Sequence, residues 1–129
     1  MYNAQIISII DFIKNNTDLN IYFGDRVYYI APIRDPLDTS LYISILSENR
    51  KLSFIETLIE FRIVGTKTEI GPFQIQEMIQ DVKDAFEKTD MIIGNFKYYQ
   101  IDILSDTFIG VNERHNHEGV CTMIFKTSR

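Results

Sequence analysis

The stretch "SFIETLIEFRIV", residues 53–64, limits the possible folds more than any other part of this chain. Within it Ile55, Ile59, Phe61 and Ile63 alternate with Glu56, Glu60 and Arg62. Successive side chains of a strand point to opposite faces, so this pattern reads as a strand with one apolar and one wet face. Such a strand needs neighbours in a sheet, and the apolar face of that sheet needs a cover. The run before it, "LYISIL", sets Leu41, Ile43 and Ile45 against Tyr42, Ser44 and Leu46. The polar "ENRK" between the two runs makes them a hairpin.

The cover is legible further along. From Pro72 onward, Ile75, Met78, Ile79, Val82 and Phe86 share one stripe of a helix, with Gln76, Glu77, Gln80, Asp81, Lys83, Asp84 and Glu87 on the other side. Pro72 suits the first helical position, which has no amide to waste, and the helix is expected to stop near Thr89 and Asp90. A first helix over residues 2–15 carries Ile6, Ile9, Ile10 and Ile13 at helical spacing and stops at Asn15 and Asn16. Between these elements, the turn "FGDR" leads into a short strand from Val27 to Ile30, ended by Pro32. Two polar loops follow, "IRDPLDTS" (33–40) before the hairpin and "GTKTEIG" (65–71) after it. The last third returns to strands: "FKYYQIDIL" with Tyr99, Ile101 and Ile103 on one face, "TFIGV", and "GVCTMIFKT" with Cys121, Met123 and Phe125 alternating. The polar "NERHNHE" joins the last two. The expected fold class is α+β, an antiparallel or mixed β-sheet with two amphipathic helices packed on one face, in a single domain spanning 1–129.

Composition narrows the function. A chain of 129 residues that is 45% hydrophobic can bury a core of its own. Its net charge of −5, without any basic patch, argues against wrapping duplex nucleic acid by phosphate neutralisation. Tyr28, Tyr29, Tyr98 and Tyr99 have no Lys and Arg clusters beside them, so sheet packing explains them better than base stacking does. Cys121 is alone and reads as core filling, with a reducing compartment as the simpler setting. The opening "MYNAQIISIIDFIKNN" is broken by Ser8, Asp11 and Lys14 and does not read as a signal peptide, and no run approaches the ~18 apolar residues of a membrane span.

The chemical motifs are sparse. "HNH", His115 to His117, is too short to carry a nuclease reading, because that chemistry needs further ligands on a hairpin and helix. His115, His117, Glu118 and Cys121 include the usual zinc donor types. Gly119 reads as a turn that separates them, so a solvated loop is the better account. Cys121 lies in an apolar strand, where a thiol is inert. Neither "FGD" nor "GTKTEIG" has the glycine spacing of a phosphate-binding loop.

Gly24, Asp25, Arg26, Val27 and Tyr28, then Ala31 and Pro32, then "SLYISI" from Ser40 to Ile45 follow one another in the order helix, strand, turn, loop, strand. In this, and in the order of elements over nearly the whole chain, the sequence resembles the tail terminator (tail completion) proteins of long-tailed bacteriophages and phage-like particles. The resemblance implies a structural role and no catalysis. It implies a homo-oligomeric ring, usually of six subunits, that caps the tail tube, ends its polymerisation and presents a docking face for the head. Its implied partners are the tail tube protein and the head-to-tail connector protein, with DNA only as passing cargo and no membrane. No cofactor or metal is expected, and the implied place is the virion tail or neck, assembled in the host cytoplasm. Asp25 and Arg26 would shape the turn after the first helix. A ring interface joins two different surfaces of one chain, so opposite charges on separate loops can meet across it. Arg34, Asp35 and Asp38 in one loop, and Lys67 and Glu69 in the other, are the candidates for subunit or tube contacts. The alternatives are another neck or head-completion component and, in a different class, a small metal-dependent enzyme built on "HNHEGVC".

Overall fold

The computed structural model describes residues 2–29, 38–65, 71–86, 89–111 and 116–128, without the side chains of 2, 3, 89 and 107–109. Among the described residues the elements run α1 (Tyr2–Asn15), α2 (Thr17–Phe23), β1 (Val27–Tyr29), β2 (Ser40–Arg50), β3 (Phe54–Val64), α3 (Pro72–Phe86), β4 (Thr89–Ile93), β5 (Phe96–Val111) and β6 (His117–Ser128). The fold is α+β, and the sheet is mixed. Six strands lie in the order β1-β2-β3-β6-β5-β4, every pair antiparallel except β1 with β2.

The central strands follow the sequence pattern closely. β3 alternates as expected: Ile59, Phe61 and Ile63 are buried, and Glu60 and Arg62 lie on the other face. It forms the expected hairpin with β2 and pairs on its other side with β6, which brings Ile59 opposite Met123 and Phe61 opposite Cys121. α3 lays Ile75, Met78, Ile79, Val82 and Phe86 onto this apolar face, all of them buried. Phe86 makes ring contacts with Phe61 at 5.3 Å and Phe125 at 5.6 Å between centroids, and with Phe12 of α1 at 5.0 Å. Gly119 is not a turn but a strand residue opposite Ile63. A Cβ there would stand 2.4 Å from Ile79 Cδ1 and 2.5 Å from Ile75 Cγ2. Only a residue without a side chain lets α3 approach the sheet this closely.

Three helices, rather than the expected two, contribute to one core. α1 buries Ile6, Ile9 and Ile13 as its spacing implies, and its buried Gln5 donates from Nε2 to the Tyr98 hydroxyl at 3.0 Å. Asn16 does stop α1, but its side chain also caps a second helix, with Oδ1 accepting from the amides of Asp18 (3.0 Å) and Leu19 (3.2 Å). α2 then buries Leu19 and Phe23.

The C-terminal third differs in two ways from the reading of the sequence. The segment around Thr89 and Asp90 is not a helix end but the start of β4, and Asp90 takes a φ of 55°. "FKYYQIDIL" and "TFIGV" are one long strand, β5, whose register shifts three times against β6. The first shift falls between Tyr98 and Gln100 and turns Tyr99 away from the core face. Tyr98, not Tyr99, is fully buried beside Ile101, while Tyr99 sits edge-on to Phe54.

Candidate functional site

The "GDR" segment is a joint built from both ends. Gly24 closes α2 with φ 54° and ψ −124°, a backbone that a side chain would strain, and its amide donates to the Asn20 carbonyl at 2.8 Å. Asp25 is exposed. Arg26 reaches both ways: its Nε donates to the Thr39 carbonyl at 2.8 Å and a terminal nitrogen donates to the Tyr22 carbonyl at 3.1 Å. The Leu41 amide in turn donates to the Arg26 carbonyl at 3.0 Å. Asp25 and Arg26 therefore follow the second helix, not the first, and Arg26 ties the end of α2 to the entry of β2.

That tie fixes the near end of the first loop. Asp38 is exposed; its carbonyl accepts from Ser40 Oγ at 2.9 Å and its Oδ1 accepts from the Thr39 amide at 3.3 Å. Arg34 and Asp35 lie outside the described residues, as do Lys67 and Glu69 of the second loop. The ends of that second loop are held: the Gly65 amide donates to the His117 carbonyl at 2.8 Å, and the Gly71 amide donates to Gln74 Oε1 at 3.0 Å. Ser40 pairs with Val64, and Val64 with Glu118, so Asp38, Gly65 and His117 all flank the same end of the sheet. One anchor of each candidate loop, Asp38 and Gly65, thus lies at the same end of the sheet, opposite the β2–β3 tip.

The second sheet face carries a row of groups that the sequence reading passed over. Tyr28, Tyr42 and Arg62 follow one another across β1, β2 and β3. Tyr28 stacks on Tyr42 with centroids 5.5 Å apart. Arg62 bridges Glu118 at 2.9 Å and Glu60 at 3.4 Å, and Lys126 lies 3.4 Å from Asp102 on the same face. The signal was present in the Glu60–Arg62 alternation, though nothing in one strand shows which partner stands beside it.

Two tyrosines have clearly shifted titration. The Tyr22 hydroxyl donates to Asp81 Oδ2 at 2.5 Å, and that bond, followed by burial, raises its pKa. Burial pushes Tyr98 up to about 12, against a smaller opposing effect of its bond to Gln5. Both are packing groups. His117 and Cys121 sit in β6, Cys121 buried opposite Phe61, and His115 lies outside the described residues. Among the described residues no three His, Cys, Asp or Glu side chains gather as a metal site. No described helix is long and apolar enough to cross a membrane.

No family model matches this sequence, and no curated protein matches it. Solved structures do match in fold. A chain from the virion of a native gene transfer agent particle is similar at a TM-score of 0.72 and 13% identity, covering 96% of this chain and 94% of its own. A second solved chain, whose name says nothing of its role, is similar at a TM-score of 0.58 and 10% identity over 99% of this chain and 92% of its own. Over nearly all of its length, this chain is similar in fold to a chain from a gene transfer agent virion.

Proposed function

We propose that this chain is a structural subunit of a phage-like virion. In this reading it forms a ring that caps the tail tube, ends its polymerisation and offers the docking face for the head. The observation that carries the proposal is the likeness in fold to a virion chain of a gene transfer agent, which spans nearly all of both chains. The "GDR" joint and the order of elements point in the same direction. The whole chain acts as one tail-terminator-like domain, and its partners are further copies of itself, the tail tube protein and the head-to-tail connector protein. Arg34, Asp35, Asp38, Lys67 and Glu69 form the subunit or tube contacts, on loops that each have one anchor at the same end of the sheet. DNA passes without sequence-specific binding, and catalysis plays no part.

The deciding experiment is imaging of particles made without this gene. Overlong or headless tails are the expected result, and normal-length tails joined to heads would remove the reading. The enzymatic alternative has its own test. Protein purified without added metal should hold no stoichiometric zinc, whereas zinc that is lost on His115→Ala and His117→Ala would favour it.

A further inference from the structure

Among the described residues the two outer strands of the sheet are short, and each covers only one end of its neighbour. β1 pairs with β2 only from Leu41 to Ile43, and β4 pairs with β5 only from Phe96 to Gln100. Among the described residues, nothing pairs with the outer edge of β2 over 44–50 or with that of β5 over 104–111. These open edges lie at opposite ends. Ser44 is level with Ser105 through Glu60 and Thr122; from that level β2 runs open toward the β2–β3 tip, and β5 runs open the other way. Three antiparallel steps separate the two strands, so they run in opposite directions.

We propose that a second copy of this chain docks on these edges. Residues 44–50 of one copy add antiparallel to 104–111 of the next, and each short outer strand fills the step beside its neighbour's. The inference rests on the ring reading above and names its subunit contact. Sliding one copy by six rungs of the ladder sets Val111 opposite Ile45 and Asp106 opposite Arg50, a shift of about 20 Å at ~3.3 Å per residue that keeps the two faces of the sheet continuous. Four strands at ~4.8 Å set the copies about 19 Å apart across the sheet. The two displacements give a strand tilt of about 45°, at the upper end of the ~35–45° found in closed β-barrels. In that register the exposed Arg50 falls beside the neighbour's exposed Asp106, and the exposed Leu46 falls near its exposed Val111. Neither edge carries a proline, the residue that commonly blunts an exposed strand. Pairing each edge with its own copy about a two-fold axis would leave the other edge open. Head-to-tail pairing uses both, and ring closure leaves none.

Arg50→Cys and Ser105→Cys, made singly and together, test this with a short bifunctional thiol linker, since the native Cys121 is buried. In one chain the two positions are about 14 Å apart across the sheet and about 17 Å along it, beyond the reach of such a linker. The double variant should give a ladder of linked species above the dimer, and a mixture of the two single variants should give dimers. Each single variant alone should give none. Dimers from a single variant would establish two-fold pairing and overturn the proposal. So would a folded double variant, verified by circular dichroism, that stays monomeric under the linker at its highest soluble concentration. Neither result touches the virion reading, which the gene-deletion images decide on their own.

Discussion

Replacing Phe86 with alanine should be among the most damaging single changes in this chain. The ring is fully buried and lies within 5.0 to 5.6 Å, centroid to centroid, of Phe12, Phe61 and Phe125. Phe→Ala in a core costs about 3–5 kcal/mol, part transfer and part cavity. Three aromatic pairs, each worth about 0.5–1.5 kcal/mol, are lost at once, which puts this site at the top of that range, about 5 kcal/mol. A domain of this size is stable by about 5–15 kcal/mol, so the change removes a third or more of the total. The same helix supplies an internal control. Phe73 is 81% exposed, so Phe73→Ala removes the same atoms from water rather than from a core and should cost below about 0.5 kcal/mol. Urea melts of both variants and of Glu77→Ala measure the ranking, with midpoint and slope fitted separately. Comparable losses for Phe73→Ala and Phe86→Ala would refute the packing of α3 on the sheet.

Three further outcomes follow from the geometry. Gly119→Ala should destabilise by about 1–3 kcal/mol, because the new methyl meets Ile75 and Ile79, and adding Ile79→Val should recover part of the loss in the same melts. Arg26→Ala should cost about 1–3 kcal/mol by leaving the Thr39 and Tyr22 carbonyls without their charged donor, and hydrogen exchange should quicken first at the Leu41 amide. Alkaline stability should fall between pH about 10 and about 12. Tyr98 loses its proton near 10 when unfolded and near 12 when folded, so the folded state holds more protons across that window and its advantage is lost as pH rises through it. Tyr98→Phe should flatten that part of the stability-versus-pH curve, and an unchanged slope would show that the Tyr98 hydroxyl is not buried.

The elements that could be read from the sequence are those with a long, unbroken period. β3 and α3 each repeat their pattern often enough to fix both element and face, and the structure keeps every apolar residue assigned to the α3 stripe. α2 is one turn past the minimum for a helix, and its stability comes from Asn16 at one end and Gly24 at the other rather than from a stripe. β4 is short, and its second residue sits in a backbone region that residues other than glycine seldom use, so no alternation marks it. In β5 the error was one of face: a single extra residue at Tyr99 reverses the alternation, and nothing local distinguishes "YYQ" with a bulge from "YYQ" without one. At the candidate site, Gly24 and Arg26 were visible as a motif. The Arg26 reach to Thr39 crosses a loop, and a contact across that separation leaves no periodic trace.

The place of β6 has a consequence for how the chain acquires its structure. It is the last of the six strands in chain order, yet it lies between β3 and β5, pairing with both along almost its full length. Until it emerges from the ribosome, β1–β3 and β4–β5 are separate pieces with no ladder between them. The β3–β6 partners also stand far apart in the chain, Val64 with Glu118 and Phe54 with Ser128. Such non-local closure is slow, and it leaves two bare interior edges exposed on the nascent chain. Synthesis of this protein therefore passes through an aggregation-prone stage, during which a chaperone holding β3 and β5 apart from other chains would raise the yield of folded subunits.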